Sequence, residues 1–134
     1  IVEMAGCSIP EIVAEHGWAH FRDLETTVAR QLAQGDKLII DTGGGVIERP
    51  ENIEALKTNA RIFWLKASVD AIVSRIQEDT QRPALVAGKT FTEEVAEVLE
   101  QRTPKYQNAA HHEIDTDPLT PEQVAEKIIQ LFGK

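Results

Sequence analysis

Three consecutive glycines, Gly43, Gly44 and Gly45, follow the run K-L-I-I-D at residues 37–41 after a single Thr42. Removing three Cβ atoms in a row opens the backbone amide donors to close approach by a ligand, and the carboxyl end of a strand is where open α/β sheets bind theirs. A tight turn needing positive φ would also use glycine; three in a row at this position favour the ligand site. Three arginines offer complementary chemistry: Arg22, Arg82 before Pro83, and Arg102 in R-T-P-K-Y. A forked guanidinium matches a carboxylate or a phosphate better than an ammonium does. Taken singly, each arginine also reads as a solvated surface residue. Arg22 with Glu25 three positions on reads as a helical ion pair, worth only about a few tenths of a kcal/mol on an exposed face.

Other patterns carry less. Gly88-Lys89-Thr90 copies the tail of the phosphate-cradling motif G-x-x-x-x-G-K-[ST], but the first glycine's position holds Pro83 and no strand leads into it. His16 and His20 are four apart with Gly17 breaking the helix between them, and His111 and His112 would point to opposite faces of a strand. Neither pair is expected to bind metal. Ser8, Ser68 and Thr92 read as helix caps rather than nucleophiles.

The elements that must hold these groups alternate along the chain. Ser8 caps a first helix with Pro10 in its first turn and Glu11 at the capping-box position, and Gly17 ends it. Phe21, Leu24, Val28 and Leu32 keep helical spacing over residues 18–34. Residues 37–41 read as a strand buried on both faces, and residues 61–66 as a second. Ser68 caps a helix to about residue 79, residues 80–91 form a loop with Pro and Gly, and Thr92 caps a Glu-rich helix to about residue 109. Residues 113–115 are a third short strand, and Pro118 and Pro121 lead into a final amphipathic helix. Strands separated by helices imply a parallel sheet and an α/β domain. Three strands are few against the usual roughly 4–6, so an N-terminal part of the sheet is expected to lie outside this chain.

The 134 residues match the size of one domain. With 42% hydrophobic and 27% charged residues, a disordered chain is excluded. The net charge of −8, with neither half basic, argues against a nucleic-acid partner, and no apolar run approaches the roughly 18–20 residues that cross a bilayer. A lone cysteine, Cys7, excludes an internal disulfide or multi-cysteine metal site and fits a reducing, cytoplasmic setting. The chain starts at Ile1 and holds one methionine, Met4, which suggests a piece of a longer polypeptide.

Read in order, the motifs resemble those of the shikimate kinase family of P-loop phosphotransferases. G-C-S-I-P-E-I (residues 6–12) is similar to the family's G-x-S-I-x-E-I, Phe21-Arg22 with Glu25 to F-R-x-x-E, and residues 42–46 to T-G-G-G-V. Arg82-Pro83 resembles the lid R-P, Arg102 with Pro104 and Tyr106 resembles R-x-P-x-Y, and Ile114-Asp115-Thr116 resembles the final strand. Trp18 stands where the family often has Glu.

The resemblance implies a three-layer P-loop kinase-like parallel sheet flanked by helices, lacking its first two strands in this chain. Residues 1–134 would form one N-terminally incomplete domain with a lid near residues 80–91. The reaction implied is transfer of the ATP γ-phosphoryl group to the 3-hydroxyl of shikimate, in aromatic amino acid biosynthesis. Arg22 and Arg102 would take the substrate's carboxylate, Gly43, Gly44 and Gly45 would border its hydroxyls, and Arg82 would meet the transferring phosphoryl group. Arg75 would lie against the adenine and Pro121 would border it. The phosphate cradle, the Mg²⁺ ligand and the Asp that orients the attacking hydroxyl would lie upstream of Ile1, so the 134 residues alone are expected to be inactive. The expected protein is a monomer, with no nucleic-acid or membrane partner. Two other readings stay open: a kinase-like binding or regulatory module, and another small-molecule kinase acting on gluconate or a nucleoside monophosphate.

Overall fold

The computed structural model describes residues 1–76 and 90–133, the side chain of Phe91 excepted. It divides into two compact units, Ile1–Ala60 and, within the described residues, 61–76 with 90–133.

The first unit is helical. A short helix α1 (Val2–Ala5) precedes α2 (Ile9–Ala33), which is capped by Ser8: its hydroxyl accepts from the Glu11 amide at 3.4 Å. The break expected at Gly17 is present. Gly17 sits at φ 83°, ψ 170°, a conformation open to glycine and costly for any residue with a Cβ, so α2 is two helical segments joined at a kink. A 3-10 turn, Gly44–Glu48, leads into α3 (Pro50–Lys57), and both pack on α2. Ile12, Phe21, Ala29, Ile47 and Leu56 are the buried apolar residues here.

The strand expected at residues 37–41 is not formed among the described residues. Lys37 has φ 57°, in the left-handed region that a strand cannot use. Leu38 is half exposed and Ile39 fully exposed. The run has the branched composition of a buried strand, but burial on both faces needs neighbours on both sides, which composition does not supply.

The second unit is built on a parallel pair, β1 (Phe63–Lys66) and β2 (His112–Asp115). The register sets Phe63 opposite His112, whose rings stack at 5.3 Å, and Leu65 opposite Ile114. Both ends are stitched. Before the strands, the His111 amide donates to the Ile62 carbonyl at 2.8 Å while the Ile62 amide donates to His111 Nδ1 at 2.9 Å. After them, the Thr116 amide and hydroxyl both donate to the Lys66 carbonyl, at 2.9 and 2.7 Å.

Between the strands lie α4 (Val69–Ile76) and α5 (Phe91–Ala109), packed on each other; α6 (Pro121–Phe132) follows β2 and packs on it. Trp64 on β1 meets Tyr106 on α5 with ring centres 5.4 Å apart. The cap of α5 is Thr90 rather than Thr92. Its hydroxyl accepts from the Glu93 amide at 3.2 Å while Glu93 accepts from the Thr90 amide at 3.4 Å, a reciprocal box that Thr92 could not form with its own third neighbour, Val95. The expected loop therefore ends before residue 90, and residues 80–89 lie outside the described residues. Thr120 and Gln123 form the same box at α6. No helix among the described residues is long and apolar enough to cross a membrane.

Candidate functional site

In the first unit the sequence-predicted groups converge. Arg22 projects from α2 in the turn after the Gly17 kink, and its guanidinium lies against Gly45: a Cβ built on Gly45 would stand 2.6 Å from Arg22 Cζ and Nη2 and closer still to Nη1. Gly43, Gly44 and Gly45 all avoid positive φ. The turn reading is therefore not what requires glycine at position 45; the close approach of a charged side chain is.

Arg22 Nη1 donates to Glu25 Oε1 at 3.0 Å, with both side chains largely buried. The exposed pair expected from spacing is instead a sheltered one, so solvent screens it less. The guanidinium carbon lies 5.2 Å from the Trp18 ring centre and 5.3 Å from that of Phe21, and the two rings meet edge-on at 5.6 Å. One carboxylate and two ring systems thus fix the cation, at positions i−4, i−1 and i+3 of one helix. The pair with Glu25 engages Nη1.

Two residues that sequence reasoning did not single out secure the turn. Arg49 Nη1 donates to Asp23 Oδ1 at 2.7 Å and to Thr26 Oγ1 at 3.4 Å, and Nη2 donates to the Ala19 carbonyl at 3.4 Å, tying the start of α3 to α2. Asn52, on α3, is fully buried and donates from Nδ2 to the Val46 carbonyl at 3.0 Å. The available signal was its spacing: Asn52 lies four residues before buried Leu56, so a polar side chain occupies a core-facing position.

In the second unit Arg75 and Pro121, 46 positions apart, line one cavity of about 420 Å³ with Leu65, Thr116, Leu119 and Val124. Arg75 donates from Nη1 to Thr116 Oγ1 at 3.2 Å and from Nη2 to the Thr116 carbonyl at 3.4 Å, holding the guanidinium at the wall. Apolar surface with one planar cation suits a flat heteroaromatic base. Beside it, Asp117 Oδ1 accepts from the Ser68 amide at 3.0 Å, and Ser68 Oγ accepts from the Ala71 amide at 3.2 Å, capping α4. The Ser68 amide, then the Ser68 hydroxyl, then the charge of Arg75 hold the Asp117 carboxyl below the usual aspartate range.

Arg102 is buried on α5, 9% exposed, beside Thr103, whose hydroxyl donates to the Leu99 carbonyl at 2.7 Å. Arg82 lies outside the described residues. His16 and His20, despite Gly17, have ring centres 4.8 Å apart. Among the described residues no three His, Cys, Asp or Glu side chains gather where they could hold a metal ion.

The shikimate kinase family model matches residues 1–132. The chain is 37% identical over 131 residues to a shikimate kinase of Caldicellulosiruptor bescii, covering 98% of this chain and 75% of that protein. It is 40% identical over 135 residues to one of Thermodesulfovibrio yellowstonii, covering 100% and 77%. Its fold is similar to that of a solved shikimate kinase from Acinetobacter baumannii, in complex with shikimate, with a TM-score of 0.92 and 31% identity over 98% of this chain and 73% of that one. The α/β architecture is thus of the P-loop kinase type. The chain belongs to the shikimate kinase family, whose enzymes use ATP and Mg²⁺ to phosphorylate the 3-hydroxyl of shikimate.

Proposed function

We propose that Arg22 takes the shikimate carboxylate, that Gly43, Gly44 and Gly45 border the ring hydroxyls, and that Arg102 contributes a second guanidinium to the carboxylate. Arg75 and Pro121 flank the adenine of ATP. Arg82, outside the described residues, neutralises the transferring phosphoryl group. Residues 1–134 act as one kinase-like domain, and the protein works as a cytoplasmic monomer on these two small molecules, with no nucleic-acid or membrane partner.

The observation that carries the substrate assignment is the seat of Arg22. Its guanidinium rests on Gly45, steered by Glu25, Trp18 and Phe21, so a fixed cation stands directly beside a Cβ-free turn. An acid bearing hydroxyls needs that pairing: a bidentate partner for the carboxylate and close backbone for the ring. The nucleotide assignment is supported by Arg75 and Pro121 sharing one cavity. Phosphoryl transfer needs positioning and positive charge more than covalent help, which suits a site built of arginines.

A coupled assay of ADP release by the full-length protein, with ATP and Mg²⁺, tests the reading. Shikimate should support turnover and gluconate and nucleoside monophosphates should not. Equal turnover with either alternative, or none with shikimate, overturns it.

A further inference from the structure

We infer that Asn52, together with Arg49, is a positioning residue for shikimate, acting through the glycine turn; this rests on the assignment of Arg22 and Gly43 to Gly45 made above. Asn52 and Ile12 are the two largest fully buried side chains among the described residues. A buried amide ordinarily satisfies both its ends. Here Nδ2 donates to the Val46 carbonyl at 3.0 Å, while Oδ1 has no partner among the described residues. The orientation is fixed by chemistry, because rotating the amide would set two acceptors against each other. An unpartnered buried acceptor is a liability, and for packing alone an apolar side chain would serve this position better. What the amide adds over an apolar side chain is a single directed bond to the residue after Gly45.

That bond sets the distance between Gly45 and Arg22. Val46 is held from within by Asn52. From outside, the Arg49 carbonyl accepts from the Asn52 backbone N–H at 3.1 Å while the Arg49 side chain grips Asp23 and the Ala19 carbonyl on α2, the helix that carries Arg22. The turn and the cation are therefore clamped to each other by Asn52 and Arg49. Loosening either clamp lets Gly45 move relative to the guanidinium and misplaces both partners of the acid.

The test uses three variants of the full-length protein: Asn52→Leu, which fills the volume without the donor; Asn52→Asp, which sets an acceptor against the Val46 carbonyl; and Arg49→Lys, which keeps the charge near Asp23 but loses the fork. Titration calorimetry with shikimate and with ATP, each alone, is read beside thermal melting. Shikimate Kd should rise roughly tenfold or more in the Asn52 variants, the scale on which small misplacements of a binding group are felt, and by less in Arg49→Lys. ATP Kd should not change. A residue with a merely structural role would lower the melting temperature without splitting the two ligands. Folded variants with unchanged shikimate Kd overturn the proposal, and if both Asn52 variants fail to fold, an unchanged Kd in Arg49→Lys does so. Wild-type protein that binds no shikimate overturns the site assignment itself, whereas wild-type binding with unaffected variants overturns only the positioning role.

Discussion

Adding one methyl group at Gly45 separates the substrate site from the fold. In Gly45→Ala the new Cβ would fall 2.6 Å from Arg22 Cζ and Nη2, well inside contact distance. The obstructing atoms are the end of a flexible side chain, so the guanidinium swings away and the backbone stays. Because Gly45 does not use positive φ, its backbone conformation suits alanine, which gains about 0.4–1 kcal/mol by restricting the unfolded chain. The swing costs the sheltered pair with Glu25, about 1.5–3 kcal/mol for a hydrogen bond between charged groups. The difference, about 0.5–2.6 kcal/mol, lowers the melting temperature by roughly 2–10 °C. Substrate binding loses a charge-assisted contact of the same kind, which at about 1.4 kcal/mol per decade is an increase in shikimate Kd of about 10- to 150-fold. Calorimetric titration with shikimate, paired with a melting curve, reads both quantities. A variant that melts near the wild-type temperature and binds shikimate as well as wild type refutes the reasoning. So does one that collapses thermally, since glycine would then be serving the backbone.

Arg102→Ala should weaken shikimate binding far more than ATP binding, and equal losses by calorimetry would contradict its assignment. Arg75→Ala should show the reverse selectivity, raising KM for ATP while leaving that for shikimate unchanged. Asp117 supplies a pH dependence. Its carboxyl is held below its unfolded value, so its stabilising contribution is fully present above the ordinary aspartate pKa of about 3.9 and disappears as pH falls through the lower, folded value. Urea midpoints measured from pH 6 downward should therefore fall less steeply for Asp117→Asn than for wild type in that acid window; parallel curves would refute the role.

Local chemistry made much of this legible. The Gly17 break, the cap at Ser68 and the α6 boundary follow from residues within four positions of each other, and helix caps and kinks are decided at that range. The arginine and glycine motifs were readable as a set, yet the reason Gly45 must be glycine was not. It depends on a side chain 23 positions away folding back onto it. Residues 37–41 failed for the same reason in reverse: their composition speaks for a strand, but Lys37 in the left-handed region and an exposed Ile39 are consequences of what surrounds them. The spacing of Asn52 marks a polar residue at a core-facing position and Thr116 falls in the final-strand motif, but neither signal names a partner. Their roles arise from carbonyls at Val46 and Lys66 that only the fold brings near.

Thr116 has a consequence for how this protein can be altered. Its amide and hydroxyl close the ends of both strands on the Lys66 carbonyl, while the same hydroxyl and its own carbonyl receive Arg75. Sheet register and the wall of the cavity are thereby one mechanical variable. A substitution that relaxes the strand ends must also release Arg75, and a change that retunes Arg75 must be absorbed by the strands. Efforts to alter what this cavity binds will therefore meet strong epistasis at position 116, where stability and affinity move together.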